Sequence, residues 1–113
     1  GLRCTRDCLQ GDLLFAERPA ACVPCSEHDD ASRCDHCVAD LNNNSGGPTT
    51  VLRCAACAAA YCSKACRFHA RRRYHGALCG ARPAAAAFEA HARDSTTAGD
   101  YYRLAARLLV AYA

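Results

Sequence analysis

Residues 34–79 read CDHCVADLNNNSGGPTTVLRCAACAAAYCSKACRFHARRRYHGALC, and the predicted fold class follows from this segment. Eight metal-binding side chains occur there in four closely spaced pairs: Cys34 and Cys37, Cys54 and Cys57, Cys62 and Cys66, His75 and Cys79. The first two pairs have the C-x2-C spacing of a zinc knuckle, a tight turn that presents two thiolates to one ion. The last two have i, i+4 spacing, which predicts that each pair lies on one face of a helix.

Seven thiolates and one imidazole fill two tetrahedral zinc sites, one with four cysteines and one with three cysteines and a histidine. Four protein ligands on each ion leave no position for an activated water, so we predict two structural zinc ions and assign no catalytic residue. The spacing alone leaves two pairings open. Either the first four ligands share one zinc and the last four the other, or the pairs are interleaved.

The composition shows why a chain of 113 residues needs such cross-links. Its hydrophobic fraction of 51% includes 25 Ala and 11 Cys, with no Met, Trp or Ile, so few large apolar side chains remain for a core. Apparent binding energies of about 10 to 16 kcal/mol for a structural zinc can offset the cost of ordering the chain. An odd number of cysteines argues against a closed disulfide framework.

The charge balance argues against nucleic acid as the main partner. Thirteen of the fourteen cationic residues are Arg, but the formal net charge is only +3, and two zinc ions with seven thiolates bring it to about zero. No apolar run is long enough to cross a bilayer, and we expect no membrane contact. Reduced cysteines favour an intracellular location, in the nucleus, the cytoplasm or both.

The ligand order resembles that of the MYND zinc finger. The single histidine is the seventh of eight ligands, Tyr61 precedes the fifth ligand and Ser63 follows it. The resemblance implies the interleaved arrangement, with Cys34, Cys37, Cys62 and Cys66 on one zinc and Cys54, Cys57, His75 and Cys79 on the other. It also implies a protein-interaction module that binds protein partners, often short proline-containing peptides.

Residues 1–25 predict a β-hairpin, with strands at residues 2–5 and 13–17 around a polar turn and an end at Pro19. Before a MYND finger, this pattern resembles the first part of the split SET domain in SET and MYND protein-lysine methyltransferases. The resemblance implies a parent enzyme that uses S-adenosylmethionine on histone or other lysine substrates. Because no Asn-His pair occurs and no Met begins the chain, we expect a non-catalytic fragment. A stand-alone MYND adaptor and a nucleic-acid-binding zinc finger are the alternatives.

Four cysteines remain without a role: Cys4, Cys8, Cys22 and Cys25. They either form a third four-cysteine site or stay as free, partly buried thiols, and the second interpretation is favoured. His36 and His69 have no ligand partner at a useful spacing. We therefore expect both histidines to be surface groups.

Three helices are predicted. Ser63 caps the first, which ends at Gly76 and carries a basic run that is either a solvated face or a site for phosphate or acidic peptide. Pro83 begins the second, which runs towards Arg93. Asp100 caps the third, over residues 101–113, whose predicted buried stripe is Tyr101, Leu104, Ala105, Leu108, Leu109 and Tyr112.

The predicted fold class is a small zinc-stabilised α+β protein. It comprises an N-terminal hairpin as the first part of a split SET domain (1–25), a two-zinc MYND finger with a short helix (34–79), and a helical pair that begins the SET insertion and is truncated (80–113). A loop over residues 42–48, without apolar side chains, separates the first two knuckles.

Overall fold

The computed structural model describes residues 3–25, 32–42, 50–95 and 98–113. It is a small α+β fold with one two-stranded antiparallel hairpin and three helical segments. The elements are β1 (Leu52–Arg53), β2 (Ala60–Tyr61), α1 (Lys64–Ala70), a π-helical turn (Arg71–His75), α2 (Gly76–Leu78), α3 (Pro83–Asp94) and α4 (Gly99–Tyr112). No helix in these ranges has the length and hydropathy needed to span a bilayer.

Both C-x2-C pairs lie in tight turns closed by main-chain hydrogen bonds. The Cys34 N–H donates to the Ala39 carbonyl (2.8 Å), and Val38 takes a left-handed φ of 61° to complete that turn. The second pair lies in the loop between β1 and β2, where the Cys54 N–H donates to the Ala59 carbonyl (2.9 Å). The two turns are therefore knuckles, as the spacing predicts.

The helical segment over residues 64–78 begins as predicted and ends later than predicted. Ser63 is the N-cap, and its hydroxyl accepts from the Cys66 N–H (3.1 Å). Gly76 does not end the helix: its φ is −58°, and its N–H donates to the carbonyls of Arg71 and Tyr74. A Cβ at Gly76 would lie 2.9 Å from the Arg71 carbonyl oxygen, so the π-helical turn itself requires glycine here.

The i, i+4 ligand pairs do not each lie on one helix face, which corrects the sequence-based expectation. Cys62 precedes the N-cap, and Cys79 follows α2 in an extended conformation with ψ of 125°. Each pair therefore has one ligand on the helical segment and one just outside its end. This placement turns the two ends of the segment towards different knuckles.

A small core lies between the knuckles and the helical segment. Its buried members are Cys34, Leu41, Ala60, Tyr61, Ala70 and Tyr74. The Asp35 N–H donates to the Ala60 carbonyl (2.8 Å) and joins the first knuckle to β2. One side of α4 closes this core, since Val110 packs against it.

The two C-terminal helices form, but α4 differs from prediction in its start and in its buried face. Pro83 occupies the first turn of α3, as predicted. Ala98, not Asp100, is the N-cap of α4, and the Asp100 carboxylate instead accepts from Arg103 (3.0 Å). Four members of the predicted stripe, Tyr101, Ala105, Leu109 and Tyr112, are exposed. The stripe was wrong because polar contacts of Arg103 and Arg107 set the helix rotation.

The predicted N-terminal hairpin is absent from residues 3–25, which contain no strand; Leu2 lies outside the described residues. One turn does form there, with the Asp12 N–H donating to the Leu9 carbonyl (3.1 Å) and Gly11 at φ 98°. Two isolated strands are marginal in water without a third strand or an apolar face to pack on. Of the expected loop at 42–48, only residue 42 is described.

We predict that Gly99→Ala destabilises the protein by about 1 to 3 kcal/mol, because the new methyl group has no space. A Cβ at Gly99 would lie 2.3 Å from the Ala92 carbonyl oxygen, which forces α4 away from α3. Thermal unfolding followed by circular dichroism measures the effect. Gly80→Ala is the control, because its Cβ would meet only the Cys57 Cβ at 3.6 Å. Equal melting temperatures for the two variants would contradict the prediction.

Candidate metal centres

The structure brings the eight predicted ligands together in two groups, and the grouping is interleaved. In each group the four ligand atoms lie within 4.8 Å of one another. The first cluster is Cys34, Cys37, Cys62 and Cys66, and the second cluster is Cys54, Cys57, His75 and Cys79. The sequential pairing that the spacing leaves open is therefore not the one adopted.

The first cluster has distances close to those of a four-thiolate site. The Cys62 Sγ lies 3.5 Å from the Sγ atoms of Cys37 and Cys66. A tetrahedral zinc with bonds of about 2.3 Å separates its sulfurs by about 3.8 Å. Cys34 is fully buried at the core, whereas Cys37 is exposed at the surface. The site thus has one anchored ligand and one at the protein edge.

Main-chain N–H groups favour ionisation of Cys34, the first cysteine of the first knuckle. Burial is the largest influence on Cys34 and raises its pKa. Hydrogen bonds from the N–H groups of Cys37, Cys62 and His36 act against burial, and the pKa ends below its ordinary value. The turn geometry therefore favours the ionised ligand before any metal arrives.

Hydrogen bonds also favour ionisation of the first cysteine of the second knuckle. The Ala56 N–H and the His75 side chain lower the pKa of Cys54 to about 6. The Nε2 atom of His75 lies 3.4 Å from the Cys54 Sγ and 3.8 Å from the Cys57 Sγ, so Nε2 is the nitrogen that faces the thiols. The edge of the buried Tyr61 ring packs on the imidazole, with ring centres 5.9 Å apart, and holds its orientation.

Other ligand thiols keep their protons more firmly. Burial raises the pKa of Cys37 and of Cys57 to about 11, and it raises the pKa of Cys62 and Cys66 as well. Zinc must displace these protons, so its affinity falls as the pH falls.

The donor sets fit zinc. Structural zinc sites use four cysteine or histidine ligands in tetrahedral coordination, and each cluster provides four such ligands. Each cluster could therefore hold one zinc ion, whose chemistry here is to cross-link the chain. The described residues contain no third group of three or more such ligands.

The four unassigned cysteines are free thiols in different surroundings. Cys4, Cys8 and Cys25 are exposed, and Cys22 is half-buried, with its thiol donating to the His36 carbonyl (2.9 Å). For the described residues this arrangement agrees with free thiols, but the expected partial burial holds only for Cys22.

The expectation for the two histidines is half wrong. His69 is exposed, as predicted, but His36 is half-buried. The His36 ring stacks between His69 (5.8 Å between centres) and Tyr74 (6.3 Å). His36 is drawn inwards because its own knuckle places it against the helical segment.

A polar network that the sequence did not reveal joins the first knuckle to α4. The Arg107 guanidinium forms a salt bridge with Asp35 (2.5 Å), and these side chains are only 11% and 17% exposed. Arg107 also donates to the carbonyls of Asp35 (2.6 Å) and Cys22 (2.7 Å). One side chain thus connects α4, the first knuckle and the N-terminal segment.

Tyr74 completes this network from the π-helical turn. Its hydroxyl donates to the Asp35 carbonyl (2.7 Å), and Arg107 lies over its ring at 4.3 Å from the centre. Burial, followed by the negative charge of Asp35, raises the pKa of Tyr74, so the phenol stays a donor. The only signal in the sequence was the i, i+4 spacing of Arg103 and Arg107 on a helix that is mostly apolar after Asp100, and this spacing does not identify their partners.

A groove of about 210 Å³ runs between the finger and the C-terminal helices. Its apolar lining comes from Val23, Pro24, Ala58, Leu78 and Phe88, beside the second cluster. Its polar rim includes Glu89 and Arg103, which form a salt bridge of 2.6 Å. The groove is thus an apolar floor with a paired, charged edge.

Comparison with known proteins returns no match: no family, no curated protein and no solved structure matches this chain. The geometry of the two ligand clusters and of the groove is therefore the basis for inferring a function.

We predict that paired serine substitutions distinguish the interleaved from the sequential arrangement. Cys37→Ser with Cys62→Ser removes two ligands from the first cluster, so one zinc is lost and one retained. Cys37→Ser with Cys54→Ser damages both clusters, so both ions are lost. Native mass spectrometry counts the ions, and Cys4→Ser, at a free thiol, is the control that keeps both. The reverse pattern would contradict the interleaved grouping.

We also predict that Arg107→Met destabilises the protein by about 3 to 5 kcal/mol, because it leaves the Asp35 carboxylate buried without its cation. Chemical denaturation measures the loss. Arg93→Met is the matched control: its contact with Glu89 (3.4 Å) is on the surface, with Arg93 70% exposed, and such pairs contribute about 1 kcal/mol or less. A similar effect of both substitutions would show that the Asp35 pair has no special role.

Proposed function

We propose that this chain is a MYND-type zinc finger that acts as a protein-interaction module. The observation that supports it most is the interleaved pairing of the two clusters. Together with a histidine as the seventh ligand, this pairing is what the resemblance to MYND fingers implies.

The coordination argues for a structural rather than a catalytic metal role. Each cluster offers four protein ligands, which closes the coordination of a tetrahedral ion and leaves none for water or substrate. The ions then hold the knuckles and the helical segment rigid. A rigid surface is what a binding module needs, because less entropy is lost when it meets a partner.

The groove supports a short peptide as the partner. At about 210 Å³ it is smaller than the usual 300 to 1,000 Å³ of small-molecule pockets, and it suits one or two apolar side chains. Its floor includes Phe88 and Leu78, which can pack against a proline ring. We therefore propose proline-containing peptides as its ligands.

We predict that the zinc-loaded chain binds a subset of a library of short peptides with a central proline. Removal of zinc with a chelator abolishes the binding, and Phe88→Ala weakens it by about tenfold or more, since a buried aromatic contact is lost. Fluorescence anisotropy measures both effects. Phe15→Ala, at an exposed phenylalanine outside the groove, is the control. Binding that survives the chelator would contradict a zinc-organised module.

A second candidate, which concerns the parent protein, is a SET and MYND protein-lysine methyltransferase that uses S-adenosylmethionine. The observation that favours it is the exposed apolar run Leu13, Leu14 and Phe15, which another part of a SET domain would cover. Coding sequence that continues past residue 113 into an Asn-His-containing segment would support this origin. Its absence would favour the stand-alone adaptor.

We place the protein inside the cell, in the nucleus or the cytoplasm. Three exposed free thiols and two thiolate clusters persist best under reducing conditions.

A further inference from the structure

One exposed face of the helical segment carries a row of cations around an aromatic ring. We call it the basic face, and its residues are Lys64, Arg67, Phe68, Arg71 and Arg72. Their i, i+3, i+4, i+7 and i+8 spacing places them along one side of the helical segment, whose buried residues are Ala70 and Tyr74. All five side chains are exposed.

The cations of the basic face have no acidic partner among the described residues. The salt bridges among the described residues involve three other arginines, Arg93, Arg103 and Arg107, which lie on α3 and α4. Those three arginines meet Glu89, Asp100 and Asp35. Among the residues that the structure describes, no carboxylate competes for these four cations with one from another molecule.

Phe68 adds an apolar contact in the middle of this row. It is 57% exposed, and it does not belong to the core cluster. The Arg72 guanidinium lies over its ring at 5.6 Å from the centre, which flanks the aromatic surface with positive charge. A ligand that fits this face has an apolar side chain with carboxylates on both sides.

Size and charge favour a short acidic peptide over nucleic acid. From Lys64 to Arg72 the face is about 12 Å long at about 1.5 Å per residue, which corresponds to about four residues of extended peptide. The zinc-loaded chain has a net charge of about zero, so a long polyanion gains little beyond the contact itself. Each carboxylate of a short segment bound along this row lies within one Debye length, about 8 Å, of its nearest cations.

We infer that the basic face is a second docking surface, whose partner is an acidic peptide segment with an apolar side chain between carboxylates. This inference rests on the proposed role of the chain as a protein-interaction module. It adds a surface on the side of the helical segment formed by residues 64–72, none of which lines the groove.

The test uses the zinc-loaded chain and a fluorescein-labelled peptide of glutamates around a central leucine, followed by anisotropy. We expect binding that weakens as salt increases, because screening shortens the reach of the charges. Arg71→Glu with Arg72→Glu should weaken it by about tenfold or more, and Phe68→Ala should weaken it without changing the salt dependence. Arg3→Glu with Arg82→Glu is the charge-matched control, because both arginines are exposed and outside both surfaces.

Three results would overturn the inference: no binding of the acidic peptide by the two-zinc chain, equal binding by the Arg71/Arg72 variant and the wild type, or tighter binding of a single-stranded oligonucleotide on the same face. Native mass spectrometry on each variant verifies that both ions remain. Because proline-containing peptides report on the groove alone, their retained binding in the Arg71/Arg72 variant separates failure of this inference from failure of the proposed function.

Discussion

The interleaved pairing of metal ligands is the constraint on which the rest of the structure depends. The first cluster joins the first knuckle to the start of the helical segment, and the second joins the second knuckle to its end. A helix of this length, isolated in water, is marginal. Held at both ends by closed coordination, it becomes a fixed element against which a small core can form.

The first cluster also determines where the C-terminal helices lie. Asp35 lies between the candidate ligands Cys34 and Cys37 in sequence. Its carboxylate forms a salt bridge with Arg107 of α4, and its carbonyl accepts a hydrogen bond from the Tyr74 hydroxyl. A buried ion pair adds little net stability, since desolvation offsets the attraction. Its main effect is positional: only one rotation of α4 places Arg107 on Asp35, and that rotation leaves Tyr101 and Leu109 exposed.

Two surfaces follow from this rigid arrangement. The groove has apolar lining residues and a salt bridge between Glu89 and Arg103, so shape would dominate recognition of the peptide proposed for it. The basic face has cations with no acidic partner among the described residues, so charge would dominate recognition of the peptide proposed for it. With two zinc ions and seven thiolates the net charge would be about zero, which would confine the attraction to short range.

The sequence by itself determined the features that depend on neighbouring residues. The knuckle turns, the Ser63 cap and the start of α3 at Pro83 could be predicted because each needs only a few adjacent side chains and main-chain groups. The eight ligands could be predicted as a set, because they occur in closely spaced pairs and their number fills two four-ligand sites. Their pairing could be suggested only by family resemblance.

Only the tertiary structure decided the features that join distant parts of the chain. These include the choice of interleaved over sequential pairing, the continuation of the helix past Gly76, the rotation of α4 and the absence of strands in residues 3–25. Arg107 and Asp35 are far apart in sequence, and the spacing of the knuckle that contains Asp35 does not indicate Arg107 as its partner. Such an ion pair forms only when the complete fold buries both side chains next to each other. No local sequence pattern predicts that contact.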